Sequence, residues 1–133
     1  MTKLYLLDTN IASYAIKGVA AVRRRIERVP MAQLAISAVT EGELLYGVAR
    51  QPAATRLHAV VNEFLLRVST QPWDSNVARH YGVLRAAQER QGRPIGNLDM
   101  MIAAHALALG AVLVSNDQAF SGIKGLTIEN WAA

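Results

Sequence analysis

Cysteine is absent from the 133 residues. That removes a disulfide framework, a thiolate nucleophile and any sulfur-bound metal site, and it suits a reducing cytoplasm. Lysine is scarce, three residues against eleven arginines, and aspartate occurs only four times. Apolar runs are short. At the amino terminus Leu4-Tyr5-Leu6-Leu7 follows a single lysine, which matches neither a signal peptide nor a membrane span of about 20 apolar residues. A soluble cytoplasmic protein without membrane contact is expected. Internal repeats, low-complexity tracts and linkers are missing too.

What is present is a chain 52% hydrophobic and 18% charged. Such a composition excludes disorder, and the length allows one domain with a proper core. The net charge is +4. Arginine forks match phosphate geometry, so the bias leans towards polyanion contact. The densest cluster, Arg23-Arg24-Arg25 with Arg28, is spread around a helix and cannot face one partner; taken alone it reads as solvated surface.

Short apolar runs alternate with helical patterns. Strands are expected at Lys3–Leu7, Leu34–Ser37, Val68–Gln71, Ala111–Ser115 and, weakly, Leu126–Glu129. Helices are expected over Thr9–Lys17, Val19–Val29, Ala38–Arg50, Ala53–Leu66, from a cap at Asp74 to Arg90, and over Asp99–Leu109, with Gly18, Pro30, Pro52 and Gly110 as breakers. Strands alternating with helices imply an α/β fold, a mostly parallel sheet with helices on both faces.

Four carboxylates stand at or near the edges of these elements: Asp8, Glu43, Asp99 and Asp117. Each has an ordinary explanation. Asp8 and Asp99 read as helix caps and Asp117 as an Asx turn or cap after its strand. Glu43 completes a capping box with Thr40, unless Ser37 caps the helix, which would leave Glu43 free in the second turn. Glu41 lies about 200° round the helix from Glu43, so only one of them faces a common ion. The apolar neighbours Leu44 and Leu45 favour Glu43. Jointly the four make an acidic cluster at the carboxyl edge of a parallel sheet, where ligands bind. Carboxylates gathered there repel unless a proton or a hard cation such as Mg²⁺ neutralises them.

Other chemistries are thinly represented. His105 lies about 240° round its helix from Asp99, and His58 and His80 have no spaced partner, so the histidines read as structural. No nucleophile elbow, P-loop or dinucleotide fingerprint occurs.

The segments Leu6-Leu7-Asp8-Thr9-Asn10, Ile36 to Gly47, Pro94 to Ala106, Leu113-Val114-Ser115-Asn116-Asp117 and Gly125 to Trp131 together resemble, in order and over essentially the whole chain, a PIN-domain ribonuclease of the VapC toxin type. The resemblance implies a PIN-like fold and an endoribonuclease acting on structured RNA, in some members transfer RNA. Metal, Mg²⁺ or Mn²⁺, would be held by Asp8, Asp99, Glu43 and Asp117, with Thr9, Asn10, Ser115 and Asn116 in support; Ser115 stands where threonine is usual. It also implies a VapB-like antitoxin whose tail occludes the site, a homodimer, and DNA contact only through the antitoxin. Water would be the nucleophile, giving 5′-phosphate and 3′-hydroxyl products, with Arg50, Arg85 and Arg93 as candidates to steer RNA. Two rivals are a non-catalytic scaffold supporting DNA-bound autoregulation, and a phosphotransfer domain of receiver or phosphatase type. The second lacks the paired acid after Asp8 and an evident late-strand lysine.

Overall fold

Five strands, all parallel, lie side by side in the order β3-β2-β1-β4-β5 in the computed structural model, which describes residues 3–133. They are β1 (Tyr5–Leu7), β2 (Leu34–Ser37), β3 (Ser69–Gln71), β4 (Val112–Val114) and β5 (Ile128–Glu129). Six helices connect them: α1 (Thr9–Lys17), α2 (Ala20–Glu27), α3 (Ala38–Ala49), α4 (Thr55–Arg67), α5 (Ser75–Arg90) and α6 (Asn97–Leu109). Strand β2 matches its expected range, and the other four are shorter than theirs. Two 3₁₀ turns, Met31–Gln33 and Gln118–Phe120, occupy connections that read as plain loop.

The central strands are buried on both sides, as crossover helices require of a parallel sheet. Successive side chains alternate between two apolar layers. Leu6, Ala35 and Leu113 pack with α5 and α6, against Val77, Leu84, Met100 and Ile102. Leu7, Ile36 and Val114 pack on the other face with Ile11, Val22, Leu44, Val48 and Val61 from α1 to α4. No helix among the described residues is long and apolar enough to cross a membrane.

Helix ends follow local chemistry. Gly18 closes α1 and Gly110 closes α6, at φ 82° and 62°, a left-handed turn that glycine adopts without a Cβ clash. Asp74 caps α5 by accepting from the Val77 amide at 3.1 Å. One boundary differs from the sequence pattern. Helix α6 starts at Asn97 after Gly96, so Asp99 lies inside the first turn and is not the cap.

The chain end is stapled to the sheet. Trp131 is 1% exposed, its ring 5.3 Å from that of Tyr5. Glu129 Oε1 accepts from Arg25 Nη2 at 3.0 Å and from Trp131 Nε1 at 2.9 Å, and the Arg25 guanidinium lies over the indole. One member of the arginine cluster is thereby a structural clamp, while Arg24 and Arg28 stay exposed. Trp131→Ala should lower unfolding free energy by about 3–5 kcal/mol, the cost of emptying a large buried aromatic site, and urea denaturation measures it.

The topology sets up the site. From β1 the chain moves outward through β2 to β3, then returns to the opposite flank of β1 for β4 and β5. The strand order therefore reverses between β1 and β4, and a crevice opens at their carboxyl ends. Leu7 pairs with Val114 across that junction, and the Asp8 amide donates to the Val114 carbonyl at 3.0 Å.

Candidate active site

Asp8 comes off β1 directly into this crevice and is 4% exposed. Its Oδ1 accepts from the Ile11 amide at 2.9 Å, capping α1, so the cap expected from sequence is real. The residue is also part of an acidic group. Burial is the main force raising its pKa, with the charges of Asp99 and Asp117 adding to it; the Ser115 hydroxyl and the Ile11 amide favour the ionised form and work against them.

Asp99 enters from the first turn of α6, half-buried. Its pKa is raised as well, first by burial, then by Asp117 and by Glu43. Asp117 is exposed, and caps the short 3₁₀ turn by accepting from the Ala119 amide at 2.9 Å. Ser115 Oγ accepts from the Asp117 amide at 3.0 Å, fixing the turn that carries it. Asn116 Nδ2 lies 3.5 Å from the Tyr14 hydroxyl, and Asn10 is exposed.

Glu43 arrives from the second turn of α3. Ser37 is the cap of that helix, accepting from the Val39 amide at 3.1 Å, so the Thr40–Glu43 capping box does not form. Glu43 Oε1 accepts instead from the Thr9 hydroxyl at 2.6 Å, and Thr9 Oγ1 lies 3.1 Å from Thr40 Oγ1. Thr9 has one hydroxyl proton. Spent on Glu43, it leaves Thr9 to accept from Thr40, which fixes the direction of the relay. Glu41 is half-buried like Glu43, so burial does not separate the two glutamates; the Thr9 bond does. Thr40 is the residue that sequence reading missed as part of the site. Its signal was the three-residue step to Glu43 on one helix face, a spacing that also fits a capping box.

His105 is fully buried, and burial pushes its pKa down. Its Nδ1 sits 2.8 Å from Ser37 Oγ, tying α6, which carries Asp99, to the cap of α3, which carries Glu43. His58 and His80 bond to the Gln51 and Asn76 carbonyls, each at 2.9 Å.

None of the ion pairs among the described residues involves the four acids. As placed, no three His, Asp or Glu side chains among the described residues are gathered tightly enough to hold an ion; Glu43 is turned to Thr9 and Asp117 to its own turn. The four nonetheless share one electrostatic neighbourhood, since Asp8 feels Asp99 and Asp117, and Asp99 feels Asp117 and Glu43. The arginines separate. Arg50 stacks on Tyr46 at 5.2 Å and lines a groove with Thr9 and Glu43. Arg85 is engaged with Glu89 and Tyr81 along α5. Arg93 lies over Gly122, where a Cβ would meet Nη1 at 2.5 Å.

The PIN domain sequence pattern matches residues 5–126. The chain belongs to the PIN-domain family. Within it the resemblance is to the VapC toxins. The chain is similar to the tRNA(fMet)-specific endonuclease VapC of Shigella flexneri, 37% identical over 129 residues, or 96% of this chain and 98% of that one. Its fold is similar to DNA-bound VapBC from Salmonella typhimurium, with TM-score 0.91 and 36% identity over 98% of this chain and 99% of that one. VapBC2 from Rickettsia felis, bound to a DNA fragment from its promoter, gives TM-score 0.88 and 36% identity over 96% and 98%. With these PIN-domain relatives spanning both chains almost fully, the expected α/β architecture holds. The sheet is wholly parallel.

Because Asp8 and Asp99 keep their protons above the ordinary value of 3.8, the folded PIN domain binds more protons than the unfolded chain just above that value. Stability contributed there falls as pH rises through the window. Asp8→Asn keeps the cap acceptor while removing the charge. In EDTA at pH 7, Asp8→Asn and Asp99→Asn should each melt higher than the parent, with the gap closing towards pH 4. Thermal unfolding across pH checks both direction and window.

Proposed function

We propose that this chain is a divalent-cation-dependent endoribonuclease of the toxin type, held silent by an antitoxin. One observation carries the reading: four carboxylates from four separate segments share one electrostatic neighbourhood near the sheet's topological switch point, and none is in an ion pair among the described residues. A stable protein has little reason to assemble uncompensated acids in a half-buried crevice, since each raises the cost of ionising its neighbour.

The donor set suits Mg²⁺ or Mn²⁺, offering carboxylate and hydroxyl oxygen with no soft ligand. Asp8 and Asp99 are the principal holders, with Glu43 and Asp117 completing the set. A bound cation would supply charge neutralisation and a lowered water pKa for in-line attack on a phosphodiester. The chain supplies the positioning. The Ile11 amide fixes the Asp8 carboxylate, the Thr9 hydroxyl directs the Glu43 carboxylate, and the Ser115 hydroxyl anchors the turn bearing Asp117. With water as the nucleophile, the products carry 5′-phosphate and 3′-hydroxyl ends. A transfer RNA substrate is suggested by similarity to a tRNA(fMet)-specific endonuclease, and an antitoxin partner with DNA contact through it by similarity to DNA-bound VapBC complexes; a homodimer belongs to the same reading.

Asp8→Asn and Asp99→Asn should each lower RNA cleavage in Mg²⁺ by roughly two to four decades, the scale of losing one electrostatic stabiliser of the transition state. Cleavage of labelled RNA by the folded variants decides it, and near-parental rates for both would sink the proposal. Glu43→Gln should lose activity whereas Glu41→Gln should keep it. If Glu43→Gln cleaves at the parental rate per folded molecule, Glu43 is only a structural partner of Thr9.

A further inference from the structure

His105 is a polar side chain in a place that suits an apolar one. It is 0% exposed on α6, among the buried Ala103, Ala104 and Ala106. Its Nδ1 lies 2.8 Å from Ser37 Oγ, 68 positions away. Ser37 is buried too, and accepts from the Val39 amide at 3.1 Å. The Ser37 hydroxyl proton has no other acceptor among the described residues, so it goes to Nδ1 and leaves the ring proton on Nε2. That Nε2 is buried without a hydrogen-bond partner. An unmade buried donor costs stability that a leucine of similar size would recover. The fold keeps the imidazole all the same, and what the imidazole supplies is the bond to Ser37.

The place of that bond gives it leverage. Asp99 lies six residues before His105 on α6, and Glu43 six residues after Ser37 on α3. Each acid is therefore about 9 Å along its helix from the bond. The two arms end in one electrostatic neighbourhood, since Glu43 acts on the pKa of Asp99. The other side-chain bond to α6 ties Trp73 Nε1 to the Met101 carbonyl at 3.0 Å and does not reach α3. A tilt of about 10° at the Ser37 contact would carry a carboxylate roughly 1.5 Å. A misplacement of about 1 Å costs a reaction on the order of 10²-fold.

We propose that His105 and Ser37 form a positioning pair, a buried pin that sets the spacing of Asp99 and Glu43 for a shared divalent cation. The pin rests on the cation-dependent ribonuclease reading above. It adds two residues that act through the acids rather than beside them.

The test is Mn²⁺ binding to the full chain, read by the EPR signal of the free ion, with RNA cleavage measured alongside. In folded His105→Leu the Mn²⁺ Kd should rise about tenfold or more, the scale of losing an outer residue that orients a ligand. Its kcat should fall by roughly two decades with KM unchanged. His105→Asn, whose amide oxygen can stand where Nδ1 stood, should recover most of the affinity. His105→Gln, which reaches towards the Nε2 position, should not. Ser37→Ala should match His105→Leu, and the double variant should bind no worse than either single one. Parental Mn²⁺ affinity in folded His105→Leu and Ser37→Ala overturns the pin, as does equal recovery in His105→Asn and His105→Gln. Cleavage by the parent that Asp8→Asn abolishes then leaves the ribonuclease reading standing alone. Mn²⁺ binding that weakens in these variants, with no cleavage of RNA by the parent, keeps the pin and removes the ribonuclease reading. No Mn²⁺ binding by the parent removes both. Where His105→Leu does not fold, the comparison of His105→Asn with His105→Gln and the Ser37→Ala measurement decide.

Discussion

Everything at the candidate site depends on a carboxylate held at the end of the central strand with 4% of its surface exposed. Asp8 serves two demands that pull in opposite directions. As the cap of α1 it accepts the Ile11 amide, which favours a negative charge at a helix amino terminus. As a neighbour of Asp99 and Asp117 in a desolvated crevice it resists that charge. The backbone settles where it sits: β1 lies between β2 and β4, and the Asp8 amide is bonded to Val114. The Asp8 backbone cannot shift without breaking that bond in the middle of the sheet.

The remaining acids are each held by a different device. Glu43 depends on a hydroxyl relay from Thr40 through Thr9, Asp99 on the first turn of α6, and Asp117 on a 3₁₀ turn pinned by Ser115. The buried Ser37–His105 bond links two of these carriers. A hydrogen bond to a charged group contributes about 1.5–3 kcal/mol, enough for Thr9 to bias the Glu43 rotamer. At the neighbouring strand β5, the Arg25–Glu129–Trp131 staple pairs a carboxylate with a cation.

Periodicity read from the sequence matched the elements because the determinants are local. Glycine at 18 and 110 ends helices wherever it is placed, Asp74 caps the helix that follows it, and apolar runs flanked by helical patterns make parallel strands. At two helix starts, local signals competed. Asp99 was a plausible cap, but Gly96 lets α6 begin two residues earlier. Thr40 and Glu43 spelled a capping box, yet Ser37 at the strand end took the cap, because β2 delivers it already extended into the first turn. The order of the five motif segments, and with it the PIN family, was legible for a different reason: short patterns that are weak singly become specific in sequence.

Composition and pattern by themselves determined an α/β protein with a basic surround and four acids at or near element edges. They could not determine which side of β1 the later strands would take. The strand order that places β4 beside β1 is a long-range choice, made by burial of two apolar layers at once, and it alone turns scattered acids at 8, 43, 99 and 117 into neighbours. Nor could sequence show that Thr9 would hold Glu43, that His105 would bond Ser37, or that Arg50 alone of the three arginines proposed to steer RNA would share a groove with Thr9 and Glu43. Those contacts join residues 34 or 68 positions apart or elements separated by whole crossovers. A chain encodes such proximity only through the packing of its complete core.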